Sequence, residues 1–461
     1  MKRTLSEAAA VVGGELIGED RPFGCVCTDS RTLKPGALFV ALRGPNFDGA
    51  AFVQAAAAQG AIGALVERAT PGVLPQVLVP DTLHALQELA RSWRADFTLP
   101  VVAVAGSNGK TTAKEMTAAI LSRMGLCMAT HGNLNNHIGV PVTLMRLEPS
   151  HRSAVIEMGA NAIGDVAALM RIARPTVGLI TNAGAEHLQG FGDLDGVAKG
   201  EGETVSCLDA DGTAIINADD AYAGYWRGVS GAQRTVTFGV HAHADFTAKN
   251  IFQGIERGEF ATRFTLISPK GERAIMLKAG GAHNIGNALA AAAAASAAGA
   301  SLEDIAMGLA DFRAVAGRLQ LKAGARGSWV IDDSYNANPS SVRAAMEVLR
   351  TLPGATWLVL GDMAELGEVS HDSHAHIGSY ARECGIKRLF AMGPLSSRAV
   401  ETFGSGGEWF ADADSLTRRL QAELTPGVTV LIKGSRINRL ERVVQALTGG
   451  GAGHNPMMRA S

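Results

Sequence analysis

The segment that most restricts this chain is Val101 to Thr112, VVAVAGSNGKTT, where a β-branched apolar run enters a glycine turn and leaves through Lys-Thr-Thr. A buried strand, a loop of small residues and a helix start must follow one another here. The glycines let backbone N–H groups turn inward, and the helix adds the positive end of its dipole. The product is an anion cradle. Gly106, Ser107, Asn108, Gly109, Lys110, Thr111 and Thr112 are the predicted phosphate contacts, with Lys110 reaching the outer phosphates and the Thr111 hydroxyl facing magnesium. The spacing departs from G-x-x-x-x-G-K-[ST], because Val104 stands where the first glycine would be.

A phosphate held this way can drive a motor, set a switch or activate a carboxylate. The N-K-x-D signature by which switch proteins read guanine is absent, since no Asn-Lys pair occurs in the chain. From Val101 onward, strand-length apolar runs (Val101 to Ala105, Ala154 to Met158, Thr176 to Thr181, Thr213 to Asn217) alternate with helix-period segments. That alternation predicts a mainly parallel sheet. In one such segment Met116, Ile120 and Met124 recur every fourth residue and Gly125 ends the helix. A second series, SWVIDDS, ATWLVLGD, KRLFAMG and GVTVLIKGS, follows Gly317; each run ends in polar or glycine residues, where open α/β sheets hold ligands. The first hundred residues differ, with short strands in GALFVAL, AIGALVE and PQVLVP, then a helix capped by Asp81 that carries Leu86, Leu89, Ala90, Trp93 and Phe97 on one face.

At 461 residues, more than one hydrophobic core is expected. The predicted architecture is α/β in three domains: a small N-terminal α/β domain at 1–82, a central P-loop ATPase domain with a mainly parallel sheet at 83–314, and a C-terminal Rossmann-like domain at 315–461. Forty-two basic against 44 acidic side chains argue against nucleic-acid or membrane partners recognised by bulk charge. The most apolar run, Ala288 to Ala300, is far shorter than the roughly 20 residues that span a bilayer. No export signal is read at the N-terminus, and five cysteines without framework spacing fit a reducing compartment, so a cytoplasmic location is expected. Cys25 and Cys27 are read as buried free thiols.

Magnesium requires further oxygen ligands. Glu157 ends the strand after the loop, and His187 follows the next one in ITNAGAEHLQGFG. HDSHAHIG (His371, His374, His376) matches no metal-ligand spacing and reads as an exposed helix start. His241 and His243 are expected on one strand face at a surface turn.

GSNGKTT, GNLNNHIGVPVTL, IEMGAN, TNAGAEHLQGFG, GAHNIGNALAAAAA, GRLQ, IDDSYNANPSS, GDMAELGE and KGSR occur in the order seen in the Mur ligases of peptidoglycan synthesis, and from Asp29 to Arg436 the chain resembles that family. GNLNNHIGVP and DDSYNANP are most similar to the branch that adds D-alanyl-D-alanine to UDP-N-acetylmuramoyl-tripeptide. The resemblance implies an N-terminal domain for the UDP-sugar peptide, a central ATPase and a C-terminal domain for the dipeptide. It implies ATP and Mg2+ as cofactors and attack of a peptide carboxylate on the γ-phosphate, giving an acyl phosphate that the dipeptide amine then attacks. Lys110, Glu157 and His187 are then the expected catalytic groups. Ser30 and Arg31 would meet the uridine nucleotide, and His283 and Asn284 the adenine, while Arg318 and Asp333 would reach ATP from the hinge and the C-terminal domain. Asn135, Asn136, Asn336 and Asn338 would meet substrate. Lys433, Ser435 and Arg436 would hold the dipeptide carboxylate. A monomer is expected.

One departure stands out. The family carries a lysine, typically carbamylated, in an A-K-G-E segment, whereas this chain reads GVAKGEGETV. Ungapped alignment puts Glu201 at that position; a two-residue deletion would bring Lys199 there instead. Glu201 is favoured as the metal ligand beside Thr111, Glu157 and His187, because it is already an anion.

Overall fold

The computed structural model describes residues 2–44, 47–70 and 74–449; the end of the expected C-terminal domain, 450–461, lies outside them. Three α/β layers follow one another along the chain. The first is a five-stranded sheet ordered Glu15–Ile17, Gln76–Leu78, Gly63–Val66, Ala37–Val40, Cys25–Cys27, parallel except for its first pair. The helix Thr82–Ala95 leads out of it, its start capped by Asp81, whose carboxylate accepts the N–H groups of Leu83 and His84. Leu86 and Leu89 of this helix are buried in one core that runs from Leu5 of the first layer to Trp226 of the second. Each such leucine contributes about 1.5–3 kcal/mol, which joins the two layers firmly.

The central sheet has six parallel strands in the order Cys127–Ala129, Ser153–Glu157, Val101–Ala105, Val177–Ile180, Thr213–Asn217, Arg234–Phe238. Val101–Ala105 is buried along its whole length, as its unbroken apolar sequence requires of a strand covered on both faces. The helices Lys110–Leu121 and Ala282–Ala297 pack together over one face, and the alanines of the second allow the close approach. The third layer is a six-stranded sheet in the order Gln320–Ala323, Trp329–Asp333, Val428–Lys433, Ala355–Gly361, Arg388–Met392, Gly407–Phe410, antiparallel only at its first pair.

One element goes unread in the sequence, and two local features differ from expectation. Residues 247–277 form a three-stranded antiparallel sheet, Thr247–Glu256, Glu259–Ser268 and Gly271–Leu277. Its alternation is masked because outward positions such as Ile251, Phe252 and Met276 are apolar yet exposed. His241 and His243 lie in a loop rather than on a strand, because the Asp219 carboxylate gathers the N–H groups of Val240, His241 and Ala242. His374, expected at an exposed helix start, is fully buried.

Candidate active site

The phosphate loop leaves the middle of the central sheet, at the strand ends. Gly106 has φ 118°, and a Cβ there would come within 2.2 Å of the Thr181 hydroxyl, so only glycine fits. The loop is held from the neighbouring strand end. Ser107 N–H donates to the Asn182 carbonyl at 2.9 Å and Asn108 N–H to Asn182 Oδ1 at 3.0 Å, while the Thr181 hydroxyl donates to the Asn108 carbonyl at 2.7 Å. The helix Lys110–Leu121 starts directly after Gly109.

Three carboxylates surround the loop lysine. Lys110 Nζ lies 3.2 Å from Glu186 Oε1 and donates to the Gly106 and Ser107 carbonyls. Burial alone would depress the ammonium pKa; Glu186, Glu201 and Glu157 together outweigh it and raise the pKa. Glu201 is 2% exposed and accepts the Gly106 N–H at 2.7 Å. Burial pushes its carboxyl up to about 7, against the pull of Lys110 and that N–H. Lys199 is exposed. Glu157 is 3% exposed; its Oε1 accepts the Asn135 amide at 2.9 Å, and its Oε2 has no hydrogen-bond partner.

A buried carboxylate oxygen without a partner is costly unless a cation completes it. The donor set therefore fits magnesium. Among the described residues, no three His, Cys, Asp or Glu side chains gather into a ready-made metal cluster. This suits an ion that is usually bound by one or two carboxylates together with substrate phosphates and water. His187 sits at φ 49°, and its Nδ1 lies 2.6 Å from Glu365 Oε2, a residue of the third layer.

A cavity of 440 Å³ opens between the central and third layers, lined by Asn108, Gly109 and Thr112 of the loop, His283, Asn284 and Asn287 of the alanine-rich helix, and Arg318, Asp333 and Lys433. His283 is exposed, while the buried Asn284 bonds the Gly280 carbonyl and Asn287. Contacts cross between layers at the loop. Arg318 Nη2 donates to the Thr111 hydroxyl at 3.3 Å, the Asn338 amide donates to Asn108 Oδ1 at 2.9 Å, and the Asn108 amide donates to the Ser340 hydroxyl at 3.0 Å.

Several candidate groups are already committed to other protein atoms. Asp333 pairs with the buried Lys433 at 2.6 Å and accepts the Leu319 N–H; Lys433 also donates to the Asn336 carbonyl. Ser435 Oγ donates to the Ala337 carbonyl and accepts the Ala364 N–H. Asn136 caps its own turn by accepting the N–H groups of Ile138 and Gly139. Arg436 instead lies over the ring of Tyr335, 5.2 Å from its centre. Ser30 and Arg31 sit apart in the first layer, after the strand Cys25–Cys27, with Arg31 exposed and paired to Asp29 at 2.7 Å. Sequence reasoning passed over Glu186, Asn287, Tyr335 and Glu365. Glu186 was findable beside His187, Tyr335 beside Asn336, and Asn287 one helical turn after His283 and Asn284; Glu365 is joined to the site only by the fold.

Three consecutive stretches of the chain match known family models. Residues 23–94 match the model of the Mur ligase family catalytic domain, 104–295 that of the Mur ligase middle domain, and 317–436 that of the Mur ligase glutamate ligase domain. The UDP-N-acetylmuramoyl-tripeptide--D-alanyl-D-alanine ligase of Escherichia coli K12 is 46% identical, over 96% of this chain and 98% of its own. The enzyme of the same name from Bacillus subtilis is 34% identical, over 97% and 98%. A crystal structure of MurF from Acinetobacter baumannii superposes with a TM-score of 0.91 at 33% identity, covering 97% of this chain and 99% of that one. The Thermotoga maritima MurF ligase in complex with ADP gives 0.82 at 26% identity, over 92% and 96%. Three matched domain models and relatives aligned end to end establish that the chain belongs to the Mur ligase family.

Proposed function

We propose that this chain joins D-alanyl-D-alanine to UDP-N-acetylmuramoyl-tripeptide, forming an amide at the expense of ATP in peptidoglycan precursor synthesis. The observation that carries the reading is the loop lysine set among three carboxylates, in a phosphate loop whose Asn108, Gly109 and Thr112 line a cleft between two α/β layers, in a chain 46% identical to a ligase of that name.

The chemistry follows from charge. A peptide carboxylate and a triphosphate repel, so a protein that brings them together must supply cations and fixed N–H dipoles in line with the transfer. Lys110 and the loop N–H groups would hold the outer phosphates, and Arg318 would approach from the hinge. Glu157, whose Oε2 has no hydrogen-bond partner, would hold magnesium together with the Thr111 hydroxyl, phosphate oxygens and water. His187 and Glu201, which do not gather with Glu157 into a cluster, would join it only as the nucleotide binds. The ion would supply charge neutralisation on the phosphates. His283 and Asn284 would flank the adenine. Asp333, tied to Lys433, would order the cleft wall, and Asn135 would fix Glu157. The tripeptide carboxylate attacks the γ-phosphorus and ADP leaves; the dipeptide amine then displaces phosphate from the acyl carbon. No protein nucleophile is needed. Arg436 is the candidate for the dipeptide carboxylate, since a guanidinium fork suits that shape. Lys433 and Ser435 would support its loop. Asn336 and Asn338 would border the acceptor, while Ser30 and Arg31 would bind the uridine end in the N-terminal domain, with Asn136 shaping the path between. The three units are assigned as 1–82, 83–314 and 315–461.

Among the described residues no helix is long and apolar enough to cross a membrane. A monomer working in the cytoplasm suits a ligase that acts on nucleotide-linked precursors. The test is phosphate release from ATP with the UDP-sugar tripeptide and, in turn, D-Ala-D-Ala, D-alanine, D-glutamate and L-lysine. Release is expected only when the tripeptide and D-Ala-D-Ala are both present. Release without acceptor, as a switch or motor would give, defeats the reading.

A further inference from the structure

One aromatic ring carries two guanidiniums that serve different ends of the proposed reaction. The Arg318 guanidinium carbon lies 4.2 Å from the centre of the Tyr335 ring, and that of Arg436 lies 5.2 Å from the same centre. Arg318 also donates to Thr111 of the phosphate loop. Arg436 extends from the turn Arg436–Asn438, which follows the strand Val428–Lys433. Two like charges near one another repel, and the negative face of an aromatic ring offsets that repulsion while fixing where each cation sits.

The ring itself is firmly placed. Tyr335 N–H donates to the Gly317 carbonyl at 3.1 Å, and Gly317, at φ 69°, brings the hinge so close that a Cβ there would lie 3.2 Å from the Tyr335 Cβ. On the other side, the Ser435 hydroxyl donates to the Ala337 carbonyl, and the Asn438 amide ties the Arg436 turn to the Asp362 and Ser435 carbonyls. Hinge, ring and turn are thus tied together by direct contacts. The Tyr335 hydroxyl makes no hydrogen bond among the described residues, so the ring face is the part engaged.

We infer that Tyr335 is a positioning residue, holding Arg318 toward the nucleotide phosphates and Arg436 toward the carboxylate of the incoming dipeptide at a set separation. The inference rests on the reading of the site given above for the role of Arg436, whereas the contact of Arg318 with the phosphate loop does not depend on that reading.

The test compares Tyr335→Leu with Tyr335→Phe, measuring the Kd of ADP by calorimetry, kcat and KM for D-Ala-D-Ala, and Tm. Removing the ring is expected to raise both the ADP Kd and the dipeptide KM by about three- to thirtyfold, the range of a cation–π contact between exposed and desolvated settings. The conservative Phe variant should restore both to within about twofold. In an Arg436→Met background, Tyr335→Leu should leave the dipeptide KM where Arg436→Met alone puts it, yet still weaken ADP. Equal damage from Leu and Phe, no change with Leu, or the same rise in dipeptide KM with and without Arg436 overturns the inference. Should the Leu variant unfold, Tyr335→Met supplies a flexible ring-free side chain for the same comparisons. A parent enzyme that shows no dipeptide-dependent phosphate release sinks the functional reading instead, and ADP binding then still decides the Arg318 half.

Discussion

Glu201 accepts the backbone N–H of Gly106 at 2.7 Å, which puts a buried carboxylate directly behind the phosphate loop. Lys199 is exposed. A lysine that had to reach the metal as a carbamate would need to occupy the place where Glu201 already sits. Activity is therefore expected to be unchanged when bicarbonate and carbon dioxide are stripped from the assay, and Lys199→Met should stay within about twofold of the parent. Glu201→Gln removes the carboxyl group that a bound cation would hold ionised against its burial. It should lower kcat/KM by about 10²–10³, the scale on which loss of a fixed electrostatic group acts, and shift the magnesium dependence to higher concentration. Rescue of the parent by added carbon dioxide would refute this assignment.

The loop geometry makes Gly106 the most sensitive position for nucleotide binding. An alanine Cβ would collide not only with the Thr181 hydroxyl but also with the backbone nitrogens of Thr181 and Asn182, at 2.9 and 3.0 Å. Backbone cannot swing away as a side chain can. The positive φ adds about 1–2 kcal/mol for any residue with a Cβ. Gly106→Ala is expected to weaken ADP binding at least about tenfold, measured by calorimetry. An unchanged ADP Kd would mean that the loop carries no phosphate.

Asn338 has two jobs that one pair of substitutions can separate. Its Oδ1 caps the helix Pro339–Arg350 by accepting the Ser341 N–H at 2.8 Å, and its amide donates to Asn108 in the phosphate loop. Asp keeps the cap and loses the donor; Ala loses both. Asn338→Ala should cost about 0.5–2 kcal/mol of stability, while Asn338→Asp keeps the parent Tm. Both should raise the KM for ATP, because the contact between the layers is gone in each. If the Asp variant binds ATP like the parent, the Asn108 contact has no part in holding the nucleotide cleft.

What could be read from sequence was local. The phosphate loop, Glu157 and the Asp81 cap are each defined by residues within a few positions of one another, and the strand ends that carry them follow from apolar runs meeting polar or glycine residues. Glu365 beside His187, and Tyr335 beneath Arg318 and Arg436, join segments separated by many elements, and no periodicity reports such meetings. The sheet at 247–277 went unread for a different reason. Its exposed face carries apolar residues, which erases the alternation that marks a half-buried strand. Lys433 could be placed at a strand end from sequence, but that it is buried against Asp333 depends on the register of two strands distant in the chain.

His374 provides a pH-dependent stability that is separate from the chemistry. Its Nε2 accepts the Met363 N–H at 2.9 Å and its Nδ1 faces the Ser370 carbonyl at 2.6 Å, so the ring is neutral with its proton on Nδ1. Burial lowers its pKa below the usual 6.5; Asp362 and the Ser370 carbonyl oppose this, and His371 adds to it. A second proton would land on Nε2 and leave the Met363 N–H without an acceptor. The sign follows from linkage. The unfolded chain takes up a proton near pH 6.5 and the folded one only at lower pH, so the contribution is intact above 6.5 and declines as pH falls toward the depressed folded value, by at most about 1.4 kcal/mol per pH unit. His374→Gln cannot be protonated. The parent should thus be more stable than the variant by a constant margin above pH 7, and the margin should shrink as pH falls below 6.5 in urea unfolding. A margin that stays level on acidification would show that folding does not depress the pKa of the ring, and one that widens would show that the folded protein favours the charged ring; either result refutes the prediction.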